Sequence, residues 1–212
     1  MARERPDLGF KLFCIGLNRT GTTSFKRACR AMGLRHQKRQ GRHMALWRAG
    51  RIAELIAETE THDSFCDWPW PLAYRQIHAH YGEGARFVLT RRASGQVWLD
   101  SLKRHAMHTH PDRHSRYDAY GYDYPHGAEA AHLAFYEDHV AGVRRHFAEA
   151  GAGHLLLDVC WDDGDGWDAF CGFLGLPAPR RAFPHPNASE RRNEPDPAIV
   201  AENVGLDQQH AR

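Results

Sequence analysis

Residues 10–24, Phe-Lys-Leu-Phe-Cys-Ile-Gly-Leu-Asn-Arg-Thr-Gly-Thr-Thr-Ser, constrain this chain more than any other stretch. A short apolar run, Leu12 to Ile15, ends at Gly16. A loop rich in Gly and Thr with one Arg follows, and a helical pattern begins at Ser24. A buried strand that feeds a glycine loop at a helix N-terminus is a phosphate cradle, because backbone N–H groups and the helix dipole converge on one anion. A solvated strand–turn–helix with Gly and Thr in its turn is the plainer alternative.

The spacing Gly16-x4-Gly21 is that of a Walker A loop, but Thr22-Thr23 stands where Lys-Ser/Thr is expected. The basic residue is instead Arg19, on the other side of Gly21. A loop for Mg²⁺-nucleoside triphosphate places its Lys on the β/γ-phosphates and its hydroxyl on the metal. Keeping the cradle and the hydroxyls while moving the charge predicts binding of a phosphate-like anion without a metal.

The rest of the chain alternates short apolar runs with helical periodicity, which predicts an α/β fold: a mainly parallel central sheet flanked by helices on both faces, in three layers. Strands are expected at residues 10–16, 64–69, 85–90 and 154–159. Helices are expected at 23–33, 42–59, 70–81, 98–107, 128–150 and 167–174. Between 107 and 127 the chain is polar, and after about residue 188 Pro and charge dominate, so that tail is expected to be loose or packed on a neighbour. At 212 residues the whole fits one domain, with a core over about 9–190. A second copy of the chain is left open as a partner.

Composition removes several function classes. Against 26 acidic residues stand 28 Lys and Arg, a net charge of +2, which is not the footprint of a nucleic-acid binder. No apolar run approaches the ~20 residues needed to span a membrane. The N-terminus, Met1-Ala-Arg-Glu-Arg-Pro, lacks the apolar region of a secretory signal, so a cytoplasmic location is the expectation. Of the 5 Cys, Cys14, Cys66 and Cys160 lie in apolar runs and read as small buried hydrophobes rather than a disulfide framework.

Two further segments carry chemistry. Arg86-Phe-Val-Leu-Thr-Arg91-Arg92 is an apolar strand ending in paired Arg. Ligands of open α/β sheets bind at that carboxyl edge, and a guanidinium can bond two phosphate oxygens at once. In Ser64-Phe-Cys-Asp67-Trp68-Pro69 a carboxylate closes a strand beside an indole and a proline. Partial desolvation suits Asp67 to act as a general base, although Asp before Trp-Pro is also good helix-capping chemistry. His105, His108, His110 and His114 crowd a stretch that also holds Tyr117, Tyr120, Tyr122 and Tyr124. No carboxylate or Cys set with zinc geometry accompanies them, so no metal is assigned, and an aromatic lid over an acceptor site is the reading.

Arg19-Thr-Gly-Thr-Thr-Ser24 after an apolar strand resembles the 5′-phosphosulfate loop of sulfotransferases, in which Lys-Ser/Thr-Gly-Thr-Thr is usual. The order Phe135-Tyr-Glu-Asp-His139, Leu155-Leu-Leu-Asp-Val159, Gly166-Trp167, Cys171-Gly-Phe-Leu-Gly175-Leu-Pro and Phe183-Pro-His185-Pro-Asn187 is similar to the small P-loop sulfotransferases over about residues 9–190. The resemblance implies a P-loop NTPase-like fold. It also implies transfer of a sulfuryl group from 3′-phosphoadenosine 5′-phosphosulfate (PAPS) to a hydroxyl or amine of a small-molecule acceptor. It assigns Asn18, Arg19, Thr20, Gly21, Thr22, Thr23 and Ser24 to the phosphosulfate, and Arg92 with Ser101 to the 3′-phosphate. Arg19 and Asp67 become the catalytic pair, Asp67 standing where cytosolic relatives have the His of a His-Leu-Pro turn. The C-terminal glycine loop of larger sulfotransferases is missing, and no role passes to Arg191 or Arg192. A P-loop small-molecule kinase and a catalytically silent nucleotide-binding relative are the alternatives.

Overall fold

The computed structural model describes residues 6–38, 41–110, 115–185 and 197–210; His114, Arg191 and Arg192 lie outside them. Four strands, β1 (Lys11–Cys14), β2 (Ser64–Phe65), β3 (Ala85–Arg91) and β4 (Leu156–Cys160), form one sheet in the order β2-β1-β3-β4. Every pairing is parallel, with Phe13 opposite Phe65 and Phe87, and Arg91 opposite Cys160. All four carboxyl ends therefore leave from one edge. The expected α/β fold with a parallel sheet flanked by helices is the one observed.

Two compact units divide the chain, one of residues Met1–Arg92 with Val140–Pro186 and one of Ala93–His139 with Asn187–Arg212. The first contains the sheet. Side chains alternate across a strand, so β1 sends Leu12 and Cys14 to one face and Phe13 to the other. Leu12, Cys14, Val88 and Val159 pack with Phe25, Cys29 and Met32 of α1 (Thr22–Ala31) and its C-cap, and with Phe170, Cys171 and Leu174 of α8 (Trp167–Leu174). On the opposite face Phe13 stacks on Phe65 at 4.6 Å and on Phe87 at 5.9 Å between ring centroids. Trp70 of α4 (Trp70–Tyr81) closes on Phe13, and Phe147 near the end of α7 (Glu129–Glu149) closes on Phe87.

Where one helix was expected over 42–59 there are two, α2 (Gly41–Arg48) and α3 (Ile52–Ala57). Gly50 between them takes φ +67°, which a helix interior does not. Lys11 then donates to the carbonyls of Thr59, Glu60 and His62 at 2.8–3.0 Å, tying the chain after α3 to the first strand. Strand β2 ends at Phe65, short of the expected Pro69, because Asp67 turns left-handed. All 5 Cys are free and buried.

In the second unit α5 (Gly95–Ala106) is capped by Ser94, whose hydroxyl accepts the N–H of Val97 at 3.2 Å. Trp98 stacks on Tyr136 at 4.8 Å. The polar stretch holds a short helix, α6 (Arg116–Tyr120), and its tyrosines divide: Tyr120 and Tyr124 are buried core, whereas Tyr117 and Tyr122 are exposed. A described part of the tail forms α9 (Pro197–His210), with Ile199 packed against Ala106 and Tyr124, where a loose segment or one packed on a neighbour was expected. Among the described residues no helix is long and apolar enough to cross a membrane.

Candidate functional site

Gly16 follows β1 where the chain must pass β3 with almost no clearance. A Cβ there would lie 2.1 Å from the Thr90 hydroxyl and 2.2 Å from the Thr90 carbonyl oxygen, so only glycine fits. Thr90 also organises the loop itself. Its hydroxyl meets that of Thr20 at 2.7 Å and the Cys14 thiol at 3.6 Å, while Thr20 donates to the Leu17 carbonyl at 2.5 Å. Thr20 is among the residues assigned to the phosphosulfate; its side chain is buried, and its bonds to Leu17 and Thr90 hold the shape of the loop.

Asn18 and Arg19 are half-buried at the outer bend. Arg19 has φ +69° and Gly21, the N-cap of α1, has φ +103°. Left-handed residues on both sides of Thr20 bend the backbone as an anion-binding concavity requires. No side chain caps α1, and its first turn carries no acidic residue. The N–H of Phe25 reaches the Gly21 carbonyl at 3.1 Å, so helical bonding begins there and the N–H groups before it are the orphan donors of a helix start. Thr22 and Ser24 are buried and Thr23 is exposed. An uncapped first turn without Asp or Glu leaves the helix dipole and its N–H groups able to meet an external anion.

The neighbouring strand ends converge on this loop. Beyond β2, Asp67 has φ +68°, and it and Arg19 are the non-glycine residues with positive φ among those described. Backbone held in this sparsely populated region collects at functional sites. The Asp67 carbonyl accepts the Trp70 N–H at 3.1 Å, and Pro69 is the N-cap of α4, with no side-chain cap. The capping role is thus not the one Asp67 performs. Its carboxylate is instead held by the Cys66 thiol, which donates to Oδ2 at 3.4 Å.

At the end of β3 the paired arginines separate. Arg91 donates to Asp158 of β4 at 2.8 Å, and Arg144 holds the other oxygen of that carboxylate at 2.7 Å, so Arg91 fastens the sheet edge. Arg92 reaches the loop: Nη1 donates to the Arg19 carbonyl at 3.3 Å and Nε to Asp162. Ser101 is buried in the second turn of α5, in the other unit.

Sequence reasoning missed Trp161 and Asp162, which follow β4 at the same edge. The Trp161 indole lies against the loop, since a Cβ on Gly21 would be 2.2 Å from its Cδ1. The signal was available in the position of Trp161-Asp162-Asp163 directly after an apolar strand, but nothing in the residue types pointed to the loop. Among the described residues no group of His, Cys, Asp and Glu is arranged to hold a metal ion.

Backbone donors, a cation at the bend and a carboxylate just past the neighbouring strand β2 have the chemistry to hold an anion and to accept a proton. Comparison with known proteins agrees in kind. Residues 11–192 match the family described as "Sulfotransferase domain". The chain is similar to "Ava biosynthesis cluster protein M" of Aspergillus versicolor, 27% identical over 218 residues covering 82% of this chain and 80% of that one. With most of its length matched to that description, the chain belongs to the sulfotransferase-domain family.

Proposed function

We propose that the protein transfers the sulfuryl group of PAPS to a hydroxyl or amine of a small molecule. The observation that carries this reading is the uncapped, acid-free N-terminus of α1 behind two left-handed residues, Arg19 and Gly21. That cradle fits a 5′-phosphosulfate, whose charge the orphan N–H groups and Arg19 would meet. When bound, PAPS supplies an activated sulfuryl group on a phosphate leaving group. Catalysis of such a transfer is mostly positioning and charge stabilisation. The first turn of α1, Thr22 to Ser24, holds the anion in line. With the donor bound, Arg19 would neutralise the charge developing on its leaving phosphate and Asp67 would take the proton of the acceptor. Arg92 would meet the 3′-phosphate, the group that separates PAPS from ADP and ATP. The name of the Aspergillus relative refers to a biosynthesis cluster, in keeping with a small-molecule acceptor.

The test is a calorimetric titration with 3′-phosphoadenosine 5′-phosphate (PAP), ADP and ATP, with and without Mg²⁺. A charge-assisted contact contributes roughly 1.5–3 kcal/mol, so PAP should bind at least about ten-fold tighter than ADP. Magnesium should leave PAP affinity unchanged. Equal affinity for PAP and ADP, or a requirement for Mg²⁺, overturns the proposal and favours a kinase.

A further inference from the structure

Behind Asp67 runs a line of polar side chains that the reaction above does not use. Ser64, His36 and Cys66 are each at most 7% exposed. Ser64 Oγ meets His36 Nδ1 at 2.9 Å, His36 Nε2 meets Cys66 Sγ at 3.3 Å, and Cys66 donates to Asp67 Oδ2 at 3.4 Å. His36 is brought there by a parallel bridge to Ser64 just after α1.

The proton positions along this line follow from its last member. A carboxylate only accepts, so the single thiol proton of Cys66 goes to Asp67. Toward His36 the sulfur must then accept, which puts the imidazole proton on Nε2 and leaves Nδ1 to accept the Ser64 proton. Every donor points toward Asp67, and polarisation along a chain of this kind strengthens its terminal bond. The arrangement requires a neutral imidazole. Burial holds His36 neutral, down to about 3, with Lys26 and Arg30 of α1 and His62 adding to the effect. Burial likewise pushes the Cys66 thiol well up, with Asp67 and Cys14 adding to it and Lys26 opposing, so it keeps the proton it donates. A buried His–Cys pair serving packing alone would be replaceable by apolar groups of similar volume; this one ends on the left-handed carboxylate at the loop.

We propose that His36 and Cys66 are positioning residues for Asp67, holding its Oδ2 so that Oδ1 is the oxygen that takes the acceptor proton. This rests on the reading of Asp67 as the base. The experiment follows PAP release from PAPS, with water or a simple phenol as acceptor, in Cys66→Ala, Cys66→Ser, Asp67→Asn and the Cys66→Ala/Asp67→Asn double variant. Cys66→Ala should lower kcat about ten-fold, the loss of one bond to a charged group. Its KM for the phenol and Kd for PAP should stay as in the parent. Cys66→Ser, which keeps a donor, should recover most of that loss. Adding Cys66→Ala to Asp67→Asn should change nothing further. Cys66→Val, which fills the space without a donor, carries the same test should the alanine variant not fold. Independently of turnover, the infrared S–H stretch, assigned to Cys66 by its disappearance in Cys66→Ser, should move to higher frequency in Asp67→Asn. A parental kcat in Cys66→Ala, losses that multiply in the double variant, or an unmoved S–H band would overturn the positioning role. If Asp67→Asn itself turns over near-normally, the base reading falls and this inference with it. A dead Asp67→Asn beside a parental Cys66→Ala removes the positioning role alone.

Discussion

Gly21→Ala probes the loop with a single methyl group. Two costs can be read from the structure. Gly21 has φ +103°, a conformation that disfavours any L-residue with a Cβ, by roughly 1–2 kcal/mol. The added Cβ would also lie 2.2 Å from Cδ1 and 2.8 Å from Nε1 of Trp161. That indole is only 5% exposed and is backed by Phe170 and Phe183, so it cannot step aside without opening the core. Overpacking of this sort typically costs about 1–3 kcal/mol. The two terms together predict a loss of about 2–5 kcal/mol in denaturant unfolding. Calorimetry should show PAP affinity falling as well, because the strain is relieved most easily by moving the N–H groups that form the cradle. Trp161→Leu removes the clashing edge, so the Gly21→Ala/Trp161→Leu variant should lose less than the two single variants added together. The backbone part of about 1–2 kcal/mol should remain. If Gly21→Ala unfolds within about 0.5 kcal/mol of the parent, the size of an ordinary surface substitution, and binds PAP normally, then neither the left-handed cap nor the Trp161 contact constrains the loop.

Arg92→Ala removes a guanidinium that bonds the Arg19 carbonyl and Asp162 at once, and leaves the Asp162 carboxylate without that cation. PAP affinity should fall at least about ten-fold while ADP affinity falls less, and Arg92→Ala/Asp162→Asn should regain part of the loss. Equal losses for PAP and ADP would detach Arg92 from the 3′-phosphate. Stability should also depend on pH through His36. Burial lowers its proton affinity in the folded chain to about 3, from 6.5. Between those values the unfolded chain binds a proton that the folded one does not, so stability is fully present above about pH 6.5 and falls as the pH drops, by up to about 1.4 kcal/mol per pH unit. Urea unfolding at pH 7 and pH 5 should therefore show a smaller difference in His36→Gln than in the parent. An equal difference would mean that His36 is solvated or already charged in the fold.

What was legible in the chain was what local physics enforces. Gly16 and Gly21 stand where backbone must pass close to Thr90 and Trp161, and the apolar run before them and the helical period after them bracket the loop whatever the rest of the molecule does. Helices α4 and α8 fall at the expected residues because Pro69, Gly82, Gly166 and Gly175 punctuate them locally. Gly50 carried the same information about the break between α2 and α3, but the apolar period runs through it and hid the break. Where the sequence left a side chain's use open, its type suited two uses and only tertiary contact chooses between them. Thr20 could face a phosphate or the sheet, and Thr90, 70 residues away, turns it inward. Arg91 and Arg92 look alike in sequence, yet Asp158 across the β3–β4 pairing takes one and the loop takes the other. His36 and Cys66 carry no motif at all, being 30 residues apart, and become a pair only because β2 lies beside the chain that leaves α1. Long-range pairing of this kind leaves no periodic trace, because each member satisfies its own local pattern without the other. The glycine loop could therefore be read from one segment, whereas the side chains bonded behind Asp67 had to wait for the fold.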